Sequence, residues 1–265
     1  MTWSMRSDPW PTAASVTGSP VVPAAPTTAD GDSPTPTPPL TARWLGRVAY
    51  GEALQLQHSL VGRRRQGEIG DTLLLLEHPP VVTLGRLARR RHVLSSEAEL
   101  ARRGIELHEC GRGGDVTFHG PGQLVGYPIV QLVPGRRDVH RYLRDLEEGL
   151  LRAVATYGIR ARRVDALTGV WVADEKLAAI GVRLSSRWIT SHGFALNVGA
   201  DVSGFDEIVP CGIADRGVTS LARLIGTSPP LREVARRVAN ALAPVLGRRL
   251  IDETGAVFRS AEAGR

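Results

Sequence analysis

The chain has 265 residues, 42% of them hydrophobic and 23% charged, with a formal net charge of +6. That length supports one sizeable core, and no apolar run approaches the roughly 20 residues that span a bilayer. Two cysteines, scattered histidines and the lack of CxxC or HExxH exclude a disulfide framework and argue against a structural metal site.

The first 40 residues hold 9 of the 18 prolines, with Ser, Thr and Ala and one arginine, and read as a disordered tail. The folded body is expected from 41 to 250, starting near Trp44, with 251–265 as a mobile C-terminal extension. Residues 42–50 read as a strand and 51–67 as a helix closing on arginines and Gly67. DTLLLLEH (71–78) is a buried strand stopped by Pro79 and Pro80, and VVTLG (81–85) is a short strand or strand-like loop. Ser95 or Ser96 caps a helix that ends at Gly104, and 105–110 is a strand. From Val139 to Tyr157, the stripe Val139, Tyr142, Leu143, Leu146, Leu150 and Val154 marks a core-packing helix. Residues 164–198 read as consecutive antiparallel strands, and 231–247 as a last helix. Strand-rich segments between helices predict an α+β fold: one domain with a mixed, largely antiparallel sheet flanked by helices.

Arginine runs such as RLARRRH (86–92) carry much of the positive charge. Aromatics make up only 5% of the chain and are not interleaved with them, which argues against a nucleic-acid platform. A solvated surface is the plain reading of the charge, and an acidic protein partner is the functional one. No signal-peptide pattern opens the chain, so a cytoplasmic setting is expected.

Three features carry chemistry. GRGGDVTFHGPGQ (111–123) has five glycines that allow backbone to approach a ligand, but it matches neither common nucleotide loop. Cys211 lies between Pro210 and Gly212, in a turn that favours exposure, whereas Cys110 follows an alternating strand and reads as a buried small hydrophobe. Lys176 is the only lysine among 33 basic residues. An ε-amine can trade protons where a guanidinium cannot. An activated Cys211 needs a neighbouring base or cation, and His119, His192 and Lys176 are the candidates.

The blocks LLLEHPPVVTLGR, RGGDVTFHGPGQLVGYPI, EKLAAIGV, HGFALNV and VPCGIADRGVTSL resemble, in order, those of the lipoyl(octanoyl) transferases. The resemblance covers about residues 44 to 250. It implies a biotinyl/lipoyl protein ligase-like fold and transfer of an octanoyl or lipoyl group from acyl carrier protein to one lysine of a lipoyl domain. Such domains belong to 2-oxo acid dehydrogenase complexes and to the H protein of glycine cleavage. It implies Cys211 as the thioester-forming nucleophile and Lys176 as acid and base, with no ATP, metal, nucleic acid or membrane involved. Arg112, Gly113, Gly114, Asp115, Val116, Thr117, Phe118 and His119 match the acyl-binding loop. Ala179, Ile180, Gly181, Gly193, Phe194 and Ala195 match two further strands of that pocket. Many members carry glutamine at Asp115, which is therefore expected either to turn from the acyl chain or to bond backbone N–H groups. The alternatives are an ATP-dependent lipoate–protein ligase on the same fold and a non-catalytic acyl-binding protein.

Overall fold

The computed structural model describes residues 37–199, 201–212 and 216–255, with the backbone alone at Cys211. In chain order, strand β1 (Pro39–Arg47) leads into helix α1 (Tyr50–Gln66) and strands β2 (Asp71–Glu77) and β3 (Val81–Leu84). Helix α2 (Glu97–Arg102), β4 (Glu106–Glu109), β5 (Val116–His119) and β6 (Gln123–Ile129) follow. After helix α3 (Val139–Ala155) come β7 (Arg162–Val164), β8 (Leu167–Val172), β9 (Glu175–Leu184) and β10 (Thr190–Asn197). The pair β11 (Gly217–Val218), helices α4 (Leu221–Ile225) and α5 (Leu231–Val245) and strand β12 (Arg249–Glu253) complete the described chain.

The run DTLLLLE becomes a central strand because both faces of it are covered. Leu73 and Leu75 pack in the cluster formed by α3 and α5, while Leu74 and Leu76 pack in the cluster beneath α1. This is the two-residue period of a strand buried on both sides. The main sheet runs β12-β1-β2-β6-β10-β9-β8-β7, with β11 added to β9. β1 pairs in parallel with β2 and β12, and the ladder from β2 through β6, β10, β9 and β8 to β7 is antiparallel. A second sheet, β4-β3-β5, packs around Val82, Leu84, Val93, Leu100, Val116 and Ile208. The expected α+β class and mixed sheet are therefore present.

Both domain edges differ from the sequence reading. β1 begins at Pro39, inside the stretch read as tail, because Leu40 is buried and Pro38 O accepts the Arg249 N–H. β12 crosses residue 250 and pairs with β1, so residues 251–253 belong to the sheet. Residues 1–36 and 256–265, which make up most of the tail and extension readings, lie outside the described residues. Among the described residues, no helix is long and apolar enough to cross a membrane.

Candidate active site

A cavity of about 760 Å³ opens between β5 of the small sheet and strands β6, β10 and β9 of the main sheet. Its inner end is closed by buried Tyr50, Tyr127, His119 and His192. At its outer end lie Leu87, which is 73% exposed, and exposed Arg89 and Arg91. Lys176 and Gly212 also line it.

Strand alternation decides which loop residues face the cavity. Arg112, Gly113, Gly114, Asp115, Thr117 and His119 line it. Val116 and Phe118, expected in the acyl loop, point the other way. Val116 enters the small-sheet core, and the Phe118 ring lies edge-on to Phe205 at 5.7 Å. The glycines let this loop pass close to β9. A Cβ on Gly181 would sit 2.9 Å from Gly113 O, too near for a real side chain. Gly113 N–H donates to Val182 O at 2.9 Å. Buried Arg112 staples the loop to β3, donating to Thr83 O at 2.7 Å and Thr83 Oγ1 at 2.9 Å. Asp115 follows one of its two expectations: its Oδ1 accepts the backbone N–H groups of Arg89 at 3.1 Å and Val116 at 2.8 Å.

The expected strand residues Ala179, Ile180, Gly181, Gly193, Phe194 and Ala195 all line the cavity. Ala179 pairs with Ala195, and Ala195 with Val125 of β6, so three strands share one wall. Two members of the α3 stripe, Val139 and Leu143, face the cavity as well, while Tyr142, Leu146, Leu150 and Val154 form the core.

The inner end holds histidines kept neutral by burial. His119 is pushed down to about 3 by burial and then by nearby His78, while its Nδ1–H donates to Gln123 Oε1 at 2.7 Å. His192 is pushed down to about 4 by burial and then by the charge of Arg112. His192 adopts φ +54°, and its N–H donates to Gln57 Oε1 at 2.8 Å. His78 is likewise lowered to about 4 by burial. Its Nδ1–H donates to Val48 O at 2.7 Å, and its Nε2 accepts from Tyr127 OH at 2.8 Å. Burial also raises Tyr50 and Tyr127 above the ordinary phenol range. A neutral imidazole cannot hold a thiolate by charge, which weakens His119 and His192 as its cationic partner.

Lys176 is the second residue of β9, buried, with Nζ 4.8 Å from the centre of the Trp171 ring. Its carbonyl accepts the Thr219 N–H at 3.1 Å, and Val218 of β11 pairs with it in parallel. The segment following Cys211 is thus hydrogen-bonded to the lysine's own backbone. Cys211 itself sits in a short 3-10 helix, Pro210–Gly212, whose Gly212 N–H donates to Val209 O at 3.0 Å. Pro210 and Lys176 line one small crevice together with Thr117, Ala179 and Asn197. A side-chain relay ties these parts together. The Gln123 amide donates to Asn197 Oδ1 at 2.9 Å, and the Asn197 amide donates to Thr219 O at 3.0 Å. Cys110 is half-buried, its thiol donates to Leu84 O at 3.3 Å, and it stands behind Tyr50 without lining the cavity itself.

The chain matches the model of the lipoyl protein ligase A/B catalytic domain over residues 49–243. It is 56% identical over 201 residues to the octanoyltransferase of Chloroflexus aurantiacus, an alignment covering 75% of this chain and 90% of that relative. This chain belongs to the octanoyltransferase family. The octanoyltransferase of Rubrobacter xylanophilus is 57% identical over 203 residues, covering 76% of this chain and 91% of its own length. Solved structures share the fold at low identity. Lipoate-protein ligase A bound with ATP superposes with a TM-score of 0.64 at 14% identity, covering 84% of this chain and 91% of that one. A bipartite lipoate protein ligase from Thermoplasma acidophilum, studied with its E2 lipoyl domain, gives 0.64 at 15%, covering 84% and 89%. The protein is therefore an acyltransferase on the lipoate-ligase fold.

For an octanoyltransferase, the sequence reading missed Tyr50, Val125, Tyr127 and His92 in the cavity wall. Tyr127 and Val125 stood inside a quoted block but carried no distinguishing pattern. Tyr50 and His92 come from elements far away in the chain, and no local signal points to either.

Proposed function

We propose that this acyltransferase moves an octanoyl group from acyl carrier protein to a lysine of a lipoyl domain through a thioester on Cys211, with Lys176 as acid and base. The observation that carries the reading is the pairing of the segment after Cys211 with Lys176, through the Thr219 N–H and the β11 rung, beside an acyl-sized cavity. In the first step the Cys211 thiolate attacks the donor thioester, the bond to the pantetheine sulfur breaks, and Lys176 protonates the departing thiol. In the second step the lysine amine attacks acyl-Cys211, and the C–N bond forms as the C–S bond breaks. The Cys211 thiolate leaves, and the neutral Lys176 amine takes a proton from the acceptor. An amide replaces a thioester, so this step drives the cycle. The donor is already activated, so neither ATP nor a metal is required, and the reactive thiol suits a reducing cytoplasm. The lipoyl-domain acceptor is supported by the archaeal structural neighbour, which was studied with an E2 lipoyl domain. The Gly212 N–H, next to Cys211, donates to Val209 O in this state, so holding a tetrahedral oxyanion there would require that bond to open.

The test is intact mass spectrometry after mixing with octanoyl-acyl carrier protein and no nucleotide. One octanoyl adduct is expected on the parent and none on Cys211→Ser. An adduct on Cys110, or acylation only with ATP and free octanoate, overturns the reading.

A further inference from the structure

His92 and Asp115 form a hydrogen-bonded pair beside the turn that carries Cys211. The His92 Nδ1–H donates to Asp115 Oδ2 at 2.6 Å. The other carboxylate oxygen already accepts two backbone N–H groups, those of Arg89 and Val116. A carboxylate used in this way is an acceptor toward the imidazole too. This hydrogen bond fixes a proton on Nδ1, so in the neutral imidazole the lone pair is on Nε2. Among the described residues, Nε2 makes no hydrogen bond.

Gly212, the residue after Cys211, fixes the position of the pair. It has φ +70°, and a Cβ there would lie 2.9 Å from Asp115 Oδ2 and 3.0 Å from His92 Cε1. The His92 carbonyl accepts the Val209 N–H at 2.8 Å, so the imidazole is tied to the same turn through its backbone. His92 and Asp115 both line the cavity, and His92 sits with Arg89 and Arg91 at the outer end. That is the end open to a lysine carried by a folded protein.

The two half-reactions make different demands on a base. In thioester exchange the nucleophile is already an anion. A lysine ammonium, with an ordinary pKa of about 10.4, must lose one proton to attack and another as the C–N bond forms. Arg89, Arg91 and Arg112 cannot accept a proton. Tyr50, Tyr127, His119 and His192 are buried at the far end. Lys176 and His92 are the cavity groups left to do so.

We propose that His92, oriented by Asp115, takes the second of these protons in the second half-reaction, Lys176 taking the first, with Asp115 as the positioning residue of His92. The C–N bond forms at the thioester carbonyl while the C–S bond to Cys211 breaks. The acceptor ammonium gives its first proton to Lys176, left neutral by acylation. Its second passes to His92 Nε2 as the C–N bond forms, Cys211 leaves as the thiolate, and the imidazolium releases that proton to solvent, restoring all three groups. The proposal rests on Cys211 as the acyl carrier.

The experiment uses the full chain and separates the half-reactions. Octanoyl-enzyme is formed with octanoyl-acyl carrier protein and then discharged by an isolated lipoyl domain, each step followed by rapid quench and intact mass. His92→Gln is expected to slow discharge about 10²-fold, at least tenfold more than it slows acylation. Asp115→Asn keeps the side-chain shape and is expected to slow discharge to a smaller extent. Added imidazole is expected to restore part of the discharge rate in His92→Ala. An acylated parent whose discharge is unchanged by His92→Gln overturns this proposal alone. So does equal slowing of both steps with no response to imidazole. A parent that never acylates Cys211 overturns the underlying reading and this one with it.

Discussion

A single lysine in a chain otherwise given to arginine is a chemical statement only if its surroundings use what arginine lacks. Lys176 is buried against Trp171, and its backbone is bonded to the segment that follows Cys211. A guanidinium there would keep the charge and lose the transferable proton. Lys176→Arg is expected to slow both acylation and discharge of Cys211 by about 10²–10⁴-fold, the range for losing a positioned proton donor. Single-turnover rates for each half-reaction check this, with the pH dependence of Cys211 alkylation as a separate readout of thiolate stabilisation. Near-parental rates in both steps would reduce Lys176 to a charge that arginine can replace.

At the scale of elements, the domain is closed by one buried ion pair that links distant segments. Asp71, at the start of β2, bonds Arg248 at 2.7 Å, with both side chains 5% exposed or less. Asp71 also receives Arg64 from α1 and the Gln131 N–H after β6. Arg248 in turn donates to Gln131 O at 2.9 Å and leads directly into β12. Removing one partner of such a pair leaves an uncompensated buried charge. Arg248→Ala is expected to cost about 3 kcal/mol in chemical denaturation. Removing the half-exposed Arg43–Glu253 pair by Arg43→Ala is expected to cost about 0.5 kcal/mol or less. Equal costs for the two would show that the Asp71–Arg248 pair does not hold the sheet closed. Glu147 plays a similar part on α3: fully buried, it binds Arg144 and Arg163 and accepts the Gly169 N–H of β8, the strand that pairs with Lys176.

The whole molecule carries a pH dependence set by its buried histidines. His78 and His192 are lowered to about 4 and His119 to about 3, chiefly by burial, against an ordinary value near 6.5. In the unfolded chain all three take up protons as pH falls below that value, while the folded protein leaves them neutral. The unfolded state then binds more protons, so stability is full above about pH 6.5 and falls below it, until the folded sites titrate near pH 3 to 4. Each histidine contributes up to about 1.4 kcal/mol per pH unit across that window. Urea unfolding at about pH 7.5 and 5 should show a clear loss of stability at the lower value, and a shallower loss in His119→Gln. A flat profile would mean that these histidines are solvated in the folded state.

The sequence by itself determined the element types and the family blocks, and it singled out Cys211 and Lys176 as candidates. Those signals are local: apolar periodicity, glycine and proline punctuation, and one residue type out of keeping with its surroundings. DTLLLLE reads as a strand because the run is short and closed by Gly70 on one side and Pro79 and Pro80 on the other, which arbitrates against a helix. Sequence periodicity did not decide which face of a strand meets a ligand, since Val116 and Phe118 sit in the same run as Thr117 and His119 yet face a different core. It also did not show that Pro39 and Arg249–Glu253 belong to one sheet, because parallel pairing between chain ends leaves no short-range mark. Only the tertiary structure brought His92 from the loop after β3, Asp115 from the loop before β5 and Gly212 from the turn near β11 to one point. These residues lie far apart in the chain, and hydrogen bonds across folded segments, not local propensity, set their distances.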